Sequence, residues 1–381
     1  MNYYFKYVGD LVESYNDPNL KVLEIDAGIN DFIKFFNRLY KESNKKSKII
    51  LTTINSSWKP IIYIAKKMRL TSLKVSDGWI SLNQLENIAN LTNFVVLEKG
   101  YRTLIPKYIP FLSDIINSLF LKVPIIKRVG ILQYIVLLKS DPPKKSNLSC
   151  SIVVPCFNEE GNVEDCIKKC PKVGKFTELI IVDDGSSDKT YQIAQGLLKK
   201  YPFVRVISYK PNRGKAHAVE RGFSSAKGDI IMVWDADRTV PENELYLFYD
   251  ALATGKARFA NGTRLLYPME DQAMKWLNLV GNKIFSLIFS WILSTPISDT
   301  LCGTKALFKK DYKKIKMGNE PWGDFDLLFG ASDLGLKIIE IPVHYRKRVA
   351  GESKMKVFKH GLMLAKMAFI GAFRLKLNYE N

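Results

Sequence analysis

Gly228-Asp-Ile-Ile-Met-Val-Trp-Asp-Ala-Asp-Arg-Thr-Val-Pro-Glu242 decides how the rest of the chain is read. Its apolar run, Ile230 to Trp234, has the length and β-branched content of a buried strand and stops at two carboxylates one residue apart, Asp235 and Asp237. Side chains alternate along an extended chain, so both acids are expected on one side. Paired hard oxygen donors suit Mg2+ or Mn2+ and the phosphates such an ion carries. A solvated turn after a strand accounts for the same residues, because Asp is common there. The flanking sequence has to decide.

From Ser151 onward, strand and helix patterns alternate. Ser151 to Pro155, Leu179 to Val182 and Phe203 to Ile207 read as strands; Glu159 to Cys170, Thr190 to Lys200 and Ala216 to Ala226 read as helices. Such alternation predicts a mostly parallel sheet whose ligands sit beyond the carboxyl ends of its strands. The polar residues fall at those ends. Pro155-Cys-Phe-Asn-Glu-Glu160 follows the first strand, Asp183-Asp-Gly-Ser-Ser-Asp-Lys-Thr190 the second and Asn212-Arg-Gly-Lys-Ala216 the third. One such cluster would be a capped loop, whereas four that converge make a site.

Together, P-x-x-N-E-E, V-D-D-G-S-S-D-x-T, N-R-G-K and D-A-D resemble the motifs of family 2 glycosyltransferases of the GT-A fold, over about Ser151 to Lys354. The resemblance implies inverting transfer of a sugar from a nucleotide-diphosphate sugar to an acceptor. It puts Pro155, Asn158 and Glu159 beside the nucleotide base, Asp183 and Asp184 on base and ribose, and Lys215 near the donor. Asp235 and Asp237 then hold an Mg2+ or Mn2+ ion that neutralises the charge developing on the departing diphosphate.

Four later segments narrow the acceptor. Asn261-Gly-Thr-Arg264, Asp299-Thr-Leu-Cys-Gly-Thr-Lys305 after a long apolar helix pair, Trp322 to Phe329, and Ile339 to Arg348 are similar to those of dolichol- and polyprenyl-phosphate sugar synthases. A phosphate acceptor is already anionic, so it needs cationic positioning more than a base, and Arg264, Arg346 and Arg348 are the candidates. Two departures stand out. Thr239 occupies a position where such synthases often carry Gln, and Gly323-Asp-Phe-Asp326 replaces F-D-x-E. The catalytic candidates are Asp237, Asp324, Asp326 and Arg264. If Asp324 or Asp326 served as a base, a saccharide hydroxyl would be the alternative acceptor. Acids also collect at helix starts without catalysing anything, and a solvated loop accounts for the arginines.

Before this region, Lys21-Val-Leu-Glu-Ile-Asp-Ala-Gly-Ile-Asn30 and the helix Phe32 to Tyr40 resemble the first motif of class I S-adenosylmethionine methyltransferases, with Asp26 and Asn30 where that family has glycine beside Gly28. Ile49 to Asn55, Trp79 to Leu85 and Val129 to Leu138 are similar to later parts of that fold. The stretch between Tyr40 and Ile49 leaves no room for the strand whose acid would hold the cofactor ribose. We therefore expect a truncated, inactive methyltransferase-like α/β domain over 1–140, a linker over 141–149, a GT-A domain over 150–354 and an amphipathic, membrane-interfacial helix over 355–381.

Of 381 residues, 47% are hydrophobic and 25% charged, as in a folded protein, and the formal charge of +19 predicts an acidic partner. A nucleic-acid binder would present a basic helix or aromatic platform rather than acids at every strand end. An anionic membrane surface fits better, because Ala273 to Ile297 is largely apolar and Lys354 to Lys376 interleaves cations with apolar residues. Burial against the domain's own core explains the same helices. The longest uncharged run, Ile284 to Ser298, is shorter than the roughly 18 residues of a spanning helix. Five cysteines without a C-x-x-C pair speak for a reducing compartment, so a cytoplasmic enzyme peripheral to the inner membrane face is expected. A non-catalytic scaffold and a methyltransferase are the alternatives from other classes. The motifs leave sugar, nucleotide and oligomeric state open.

Overall fold

The computed structural model describes residues 3–15, 17, 20–25, 29, 31–69, 80–102, 117, 127–267, 276–318, 323–348 and 357–377. The chain divides into two compact units: Met1–Pro143 with Leu266–Pro268, and Lys144–Leu265 with Met269–Asn381.

The first unit runs α1 (Tyr3–Tyr15), β1 (Lys21–Glu24), α2 (Phe32–Glu42), β2 (Lys48–Ile54), α3 (Lys59–Lys67), α4 (Leu82–Leu91), β3 (Phe94–Arg102) and β4 (Leu132–Lys139). Its sheet has the order β1-β2-β4-β3, with β1 parallel to β2 and β4 antiparallel to both neighbours. Helix α2 starts where the Asp31 carboxylate accepts the Lys34 N–H, and α4 starts in a Ser81–Gln84 capping box. Strand alternation loads both faces. Ile49, Leu51, Ile135 and Leu137 face Phe32, Phe36 and Leu85, while Ile50, Tyr134 and Val136 face Leu11. Asp26, Gly28, Asn30 and Trp79, which carry much of the methyltransferase likeness, lie outside the described residues.

The second unit runs β5 (Ser149–Cys156), α5 (Val163–Lys169), β6 (Phe176–Asp183), α6 (Thr190–Leu197), β7 (Val204–Ser208), α7 (Lys215–Ser225), β8 (Ile230–Val233), α8 (Leu245–Ala253), β9 (Phe259–Thr263), α9 (Trp276–Ile292), β10 (Lys305–Phe308), α10 (Lys309–Tyr312), α11 (Asp324–Asp333), β11 (Ile338–Pro342) and α12 (Val357–Ala372). A π-helical turn, Phe373–Leu377, ends it. Among the described residues a single helix, α9, stands where the apolar pair was expected. The seven strands take the order β11-β9-β10-β8-β5-β6-β7, all parallel to their neighbours except β10. Helices cover both faces, so β5, β6 and β8 read as unbroken apolar runs rather than alternating ones. Helix α7 lies so close to β5 that a Cβ on Gly222 would come within 2.3 Å of Val153 Cγ1.

The opening stretch needs one correction. Strand β8 stops at Val233, and Asp235 and Asp237 lie in the turn that follows, not on an extended tip. The Trp234 indole N–H donates to Val240 O at 3.0 Å and closes this turn, and Arg238 within it has a φ of 51°. The two acids therefore meet different neighbours.

Candidate active site

Strands β5, β6 and β8 end together, and the loops after them carry the motif residues. Because β10 runs the other way, its beginning lies at that end and brings the segment Asp299–Thr304 alongside. The site is thus built from the ends of parallel strands and the start of a reversed one.

On the donor side the acids lace loops together. Buried Asp183 accepts from Ser186 N at 3.1 Å and Ser208 Oγ at 2.7 Å. Asp184 takes Arg213 N on one oxygen, and Asn212 Nδ2 and Gly214 N on the other, each at 2.8 Å. Gly185 sits between these loops with a φ of +72°, and a Cβ there would be 2.9 Å from Asn212 N, so both conformation and proximity demand glycine. Asn158 has a φ of 55° and accepts from Ser187 N at 2.9 Å. Glu159 accepts from Asn162 Nδ2 at 2.6 Å and lies 3.8 Å from Arg348 Nη1. Pro155 is half-buried near the end of β5. These residues come together at the carboxyl ends of β5 and β6, where their contacts tie the loops to one another.

Asp235 and Asp237 each face a cation. Lys215 Nζ, in the first turn of α7, is 2.7 Å from Asp235 Oδ1, and Arg348 Nη2 is 2.8 Å from Asp237 Oδ2. Thr239 uses its N–H and its hydroxyl to hold Asp237 Oδ1, at 3.1 and 2.9 Å, and so orients that acid rather than standing free as a ligand. Burial works against the charge of Asp235, but Lys215, Lys305 and Arg264 outweigh it and hold this carboxyl below its usual range. Burial and the Asp235 charge push Asp237 up, with Arg348 and Thr239 opposing. Lys215 is raised: burial disfavours its charge, and the carboxylates of Asp235 and Asp324 prevail.

Gly303 leaves room beside this pair. A Cβ there would lie 2.1 Å from Asp235 Oδ2 and 2.5 Å from Lys215 Nζ. Among the described residues no group of three or more His, Cys, Asp or Glu side chains forms a metal cluster. Two carboxylates completed by water and phosphate oxygens are nonetheless a donor set that Mg2+ or Mn2+ accepts. Asp235 and Asp237 are the residues that would hold such a cation.

On the other side, Asp324 and Asp326 occupy the first turn of α11, both buried. Asp324 Oδ1 meets Lys305 Nζ at 2.8 Å and its Oδ2 lies 4.0 Å from Lys215 Nζ, so Asp235, Lys215, Asp324 and Lys305 form a run of alternating charge. Lys305 is wholly buried and also donates to Cys302 O. Asp326 instead accepts from Gly318 N at 2.8 Å. The structure parts the two acids: Asp324 joins the charged run, and Asp326 bonds the backbone of Gly318.

The three arginines also differ. Arg264 is locked to Asp299 by two parallel bonds, Nε at 2.7 Å and Nη2 at 2.9 Å, with its guanidinium 5.2 Å from the Tyr345 ring centre. Arg348 bridges Asp237 and Glu159. Arg346 extends an exposed side chain, while its N–H donates to Thr239 O at 2.9 Å. Their segment is anchored at His344, whose backbone N–H and Nδ1 meet the Glu244 carboxylate at 2.9 and 2.5 Å.

Gly303, Lys305, Asp299 and Glu340 enter this architecture without having been singled out from the sequence. All four lie in segments whose family likeness was noted, Asp299 to Lys305 and Ile339 to Arg348, but nothing local marked these residues within them. Glu340, on β11, is buried, and burial pushes its carboxyl up to about 7 against the opposing hydrogen bonds from Ser298 and Asp299. The folded state therefore keeps a proton that the unfolded chain gives up between about pH 4.3 and 7, and stability falls as pH rises through that window. Glu340→Gln is expected to stabilise the protein at pH 8 by about 3 kcal/mol, or roughly 5–10 °C in Tm, and to match wild type near pH 4.5. Thermal melting across that range checks it; a gain that does not depend on pH would contradict the assignment.

Residues 151–315 match the family described as "Glycosyl transferase family 2". Dolichol-phosphate mannosyltransferase of Pyrococcus furiosus is 30% identical over 55% of this chain and 60% of its own length. Undecaprenyl-phosphate 4-deoxy-4-formamido-L-arabinose transferase of Edwardsiella ictaluri is 28% identical over 55% of this chain and 63% of its own. The chain thus spans less than two thirds of either relative. The solved structure of Mycobacterium tuberculosis glucosyl-3-phosphoglycerate synthase in complex with Mn2+ and uridine-diphosphate-glucose is 20% identical, at a TM-score of 0.46, over 60% of this chain and 79% of that one. The alternating strands, the motif loops at their carboxyl ends and the match over residues 151–315 agree that the second unit carries a glycosyl transferase family 2 domain, an α/β domain of the GT-A type.

Proposed function

We propose that this protein moves a sugar, with inversion, from a nucleotide-diphosphate sugar to a polyprenyl phosphate at a membrane surface. The observation that carries the reading is the pairing of Asp235 with Lys215 and Asp237 with Arg348 at the carboxyl ends of parallel strands. In the reaction the bond between the sugar's anomeric carbon and the diphosphate breaks, and an acceptor phosphate oxygen bonds to that carbon from the opposite face. A bound Mg2+ or Mn2+ would supply charge neutralisation for the leaving diphosphate. Lys215 sets a second positive charge beside the same oxygens, and Arg264 orients the acceptor phosphate.

Two observations support a lipid phosphate over a saccharide hydroxyl. Both oxygens of Asp324 face ammonium groups, and an acceptor that is already anionic does without a base. Helices α9 and α12 pack together and expose Ile284, Leu287, Ile288 and Trp291 on one and Leu362 and Phe369 on the other, with Phe373 and Leu377 beyond. On α9 the exposed residues share one face, while Phe289 packs inward on Phe325 and Phe329. Lys376 lies 5.7 Å from the Trp291 ring centre, a cation beside an apolar tip as at a lipid interface. Among the described residues no helix is long and apolar enough to cross a membrane. Both relatives are named for transfer to a polyprenyl-type phosphate, and their names differ in the sugar.

The test incubates the protein with Mn2+ or Mg2+, labelled nucleotide-sugars and a polyprenyl phosphate in detergent, then extracts with organic solvent. Metal-dependent label in the lipid phase is the expected result. Release of nucleotide with unlabelled lipid would show that the acceptor is something other than the lipid phosphate. In the same preparation, Leu287→Glu with Trp291→Glu is expected to abolish flotation with anionic vesicles while sparing transfer in detergent; unchanged flotation removes the interfacial role of α9.

A further inference from the structure

We propose that Glu340 is a positioning residue that sets the pose of Arg264 toward the acceptor phosphate; the inference rests on the acceptor role given to Arg264 above. The contacts form a relay across three segments. In β11, Glu340 stands in register with Asn261 of β9. Its Oε1 accepts Ser298 N at 2.8 Å and Asp299 N at 3.0 Å, and its Oε2 takes the Ser298 hydroxyl. Asn261 Nδ2 grips the same corner from β9, donating to Asp299 O at 2.7 Å. With its backbone held from two sides, Asp299 aims its carboxylate at Arg264 and accepts from N at 3.1 Å, Nε at 2.7 Å and Nη2 at 2.9 Å. Glu340 and Asp299 are 8% and 5% exposed, so little water is at hand to replace these bonds.

An arginine side chain otherwise samples many rotamers, and a guanidinium recognises phosphate through a fixed fork. With the Nε–Nη2 edge of Arg264 engaged by Asp299, the relay gives a fixed direction to the remaining Nη1 side, which would meet the phosphate. Glutamine at 340 can keep every bond, its oxygen taking both N–H groups and its amide donating to Ser298 Oγ, whose own proton then turns to Thr263 Oγ1, 3.3 Å away. Alanine keeps none. The inference therefore separates the two substitutions.

The test measures acceptor and donor KM separately in wild type, Glu340→Ala, Glu340→Gln, Arg264→Lys and the Glu340→Ala/Arg264→Lys double variant, using a polyprenyl phosphate in detergent. Glu340→Ala is expected to raise acceptor KM on the order of tenfold to a hundredfold at unchanged donor KM, with Glu340→Gln within about twofold of wild type. The double variant should be no worse than Arg264→Lys alone, because both act through one guanidinium. An activity-free arm follows exchange of the Arg264 Nε–H by NMR, identified by its loss in Arg264→Lys: protected in wild type and Glu340→Gln, unprotected in Glu340→Ala. If Glu340→Ala does not fold, Ser298→Ala, which removes only the hydroxyl contact, is expected to shift the same KM by a smaller factor. Unchanged protection in Glu340→Ala, or in Ser298→Ala an unchanged acceptor KM, overturns the positioning role. If protection is lost in Glu340→Ala but Arg264→Lys leaves acceptor KM at the wild-type value, the positioning stands and the acceptor role of Arg264 falls.

Discussion

Asp237→Ala is expected to lower transfer by about 10³-fold or more while the protein still folds, with Tm lowered by a few degrees, since the main loss is of charge stabilisation on the leaving diphosphate. Asp237 is held by Thr239 on one oxygen and Arg348 on the other, so its removal leaves both donors without their acceptor and takes away half of the carboxylate pair. Added Mn2+ should not rescue the variant. Asp237→Asn keeps the shape and the Thr239 bonds but not the charge, and it should be nearly as inactive. Thermal melting beside the organic-extraction assay decides: activity within about tenfold of wild type for either variant means that this acid does not hold the ion.

Gly303→Ala is expected to cost roughly 10²-fold in activity with a change in Tm of no more than a few degrees. Its Cβ would meet Asp235 Oδ2 at 2.1 Å and Lys215 Nζ at 2.5 Å, closer than real atoms approach, and both contacts are ends of side chains rather than backbone. The fold can therefore yield by swinging the acid and the lysine apart, which spares stability and misplaces the two groups meant to meet the diphosphate. A raised Mn2+ requirement would accompany the loss. A Gly303→Ala protein with wild-type kinetics would show that Asp235 and Lys215 need no fixed separation.

Much of the second unit was legible because its strands are short apolar runs between turn residues. The runs beginning at Ser151, Leu179, Phe203 and Ile230 all lie in strands, differing from the expected bounds by a few residues at their ends. The reversed strand β10 was not legible: four residues headed by a lysine carry no strand signal, and only the fold reveals that Lys305 is buried against Asp324. Local pattern likewise left Asp324 and Asp326 equivalent, both acids in the first turn of α11. Their difference arises from partners at Lys305 and Gly318 on other segments. Arg264 was marked as a phosphate clamp, but its lock, Asp299, lies 35 residues along the chain, a pairing that no periodicity predicts. For the first unit, the strands Lys48–Ile54 and Leu132–Lys139 coincide with apolar runs noted in the sequence, while the glycine turn that inspired the methyltransferase comparison lies outside the described residues.

Reversal of β10 also sorts the site by chain order. Every group assigned to the nucleotide-sugar lies between Pro155 and Asp237, and every group assigned to the acceptor lies between Arg264 and Arg348. The second unit is thus written as two consecutive cassettes that share one sheet. Beside the β8–β10 ladder, the contacts between them include Gly303 against Asp235, Asp324 toward Lys215, and Arg348 on Asp237 and Glu159. A chimera that keeps the first cassette and takes a foreign second one must supply a glycine, an acid and a cation at those places, together with a strand to pair with β8 and apolar residues to complete the shared core.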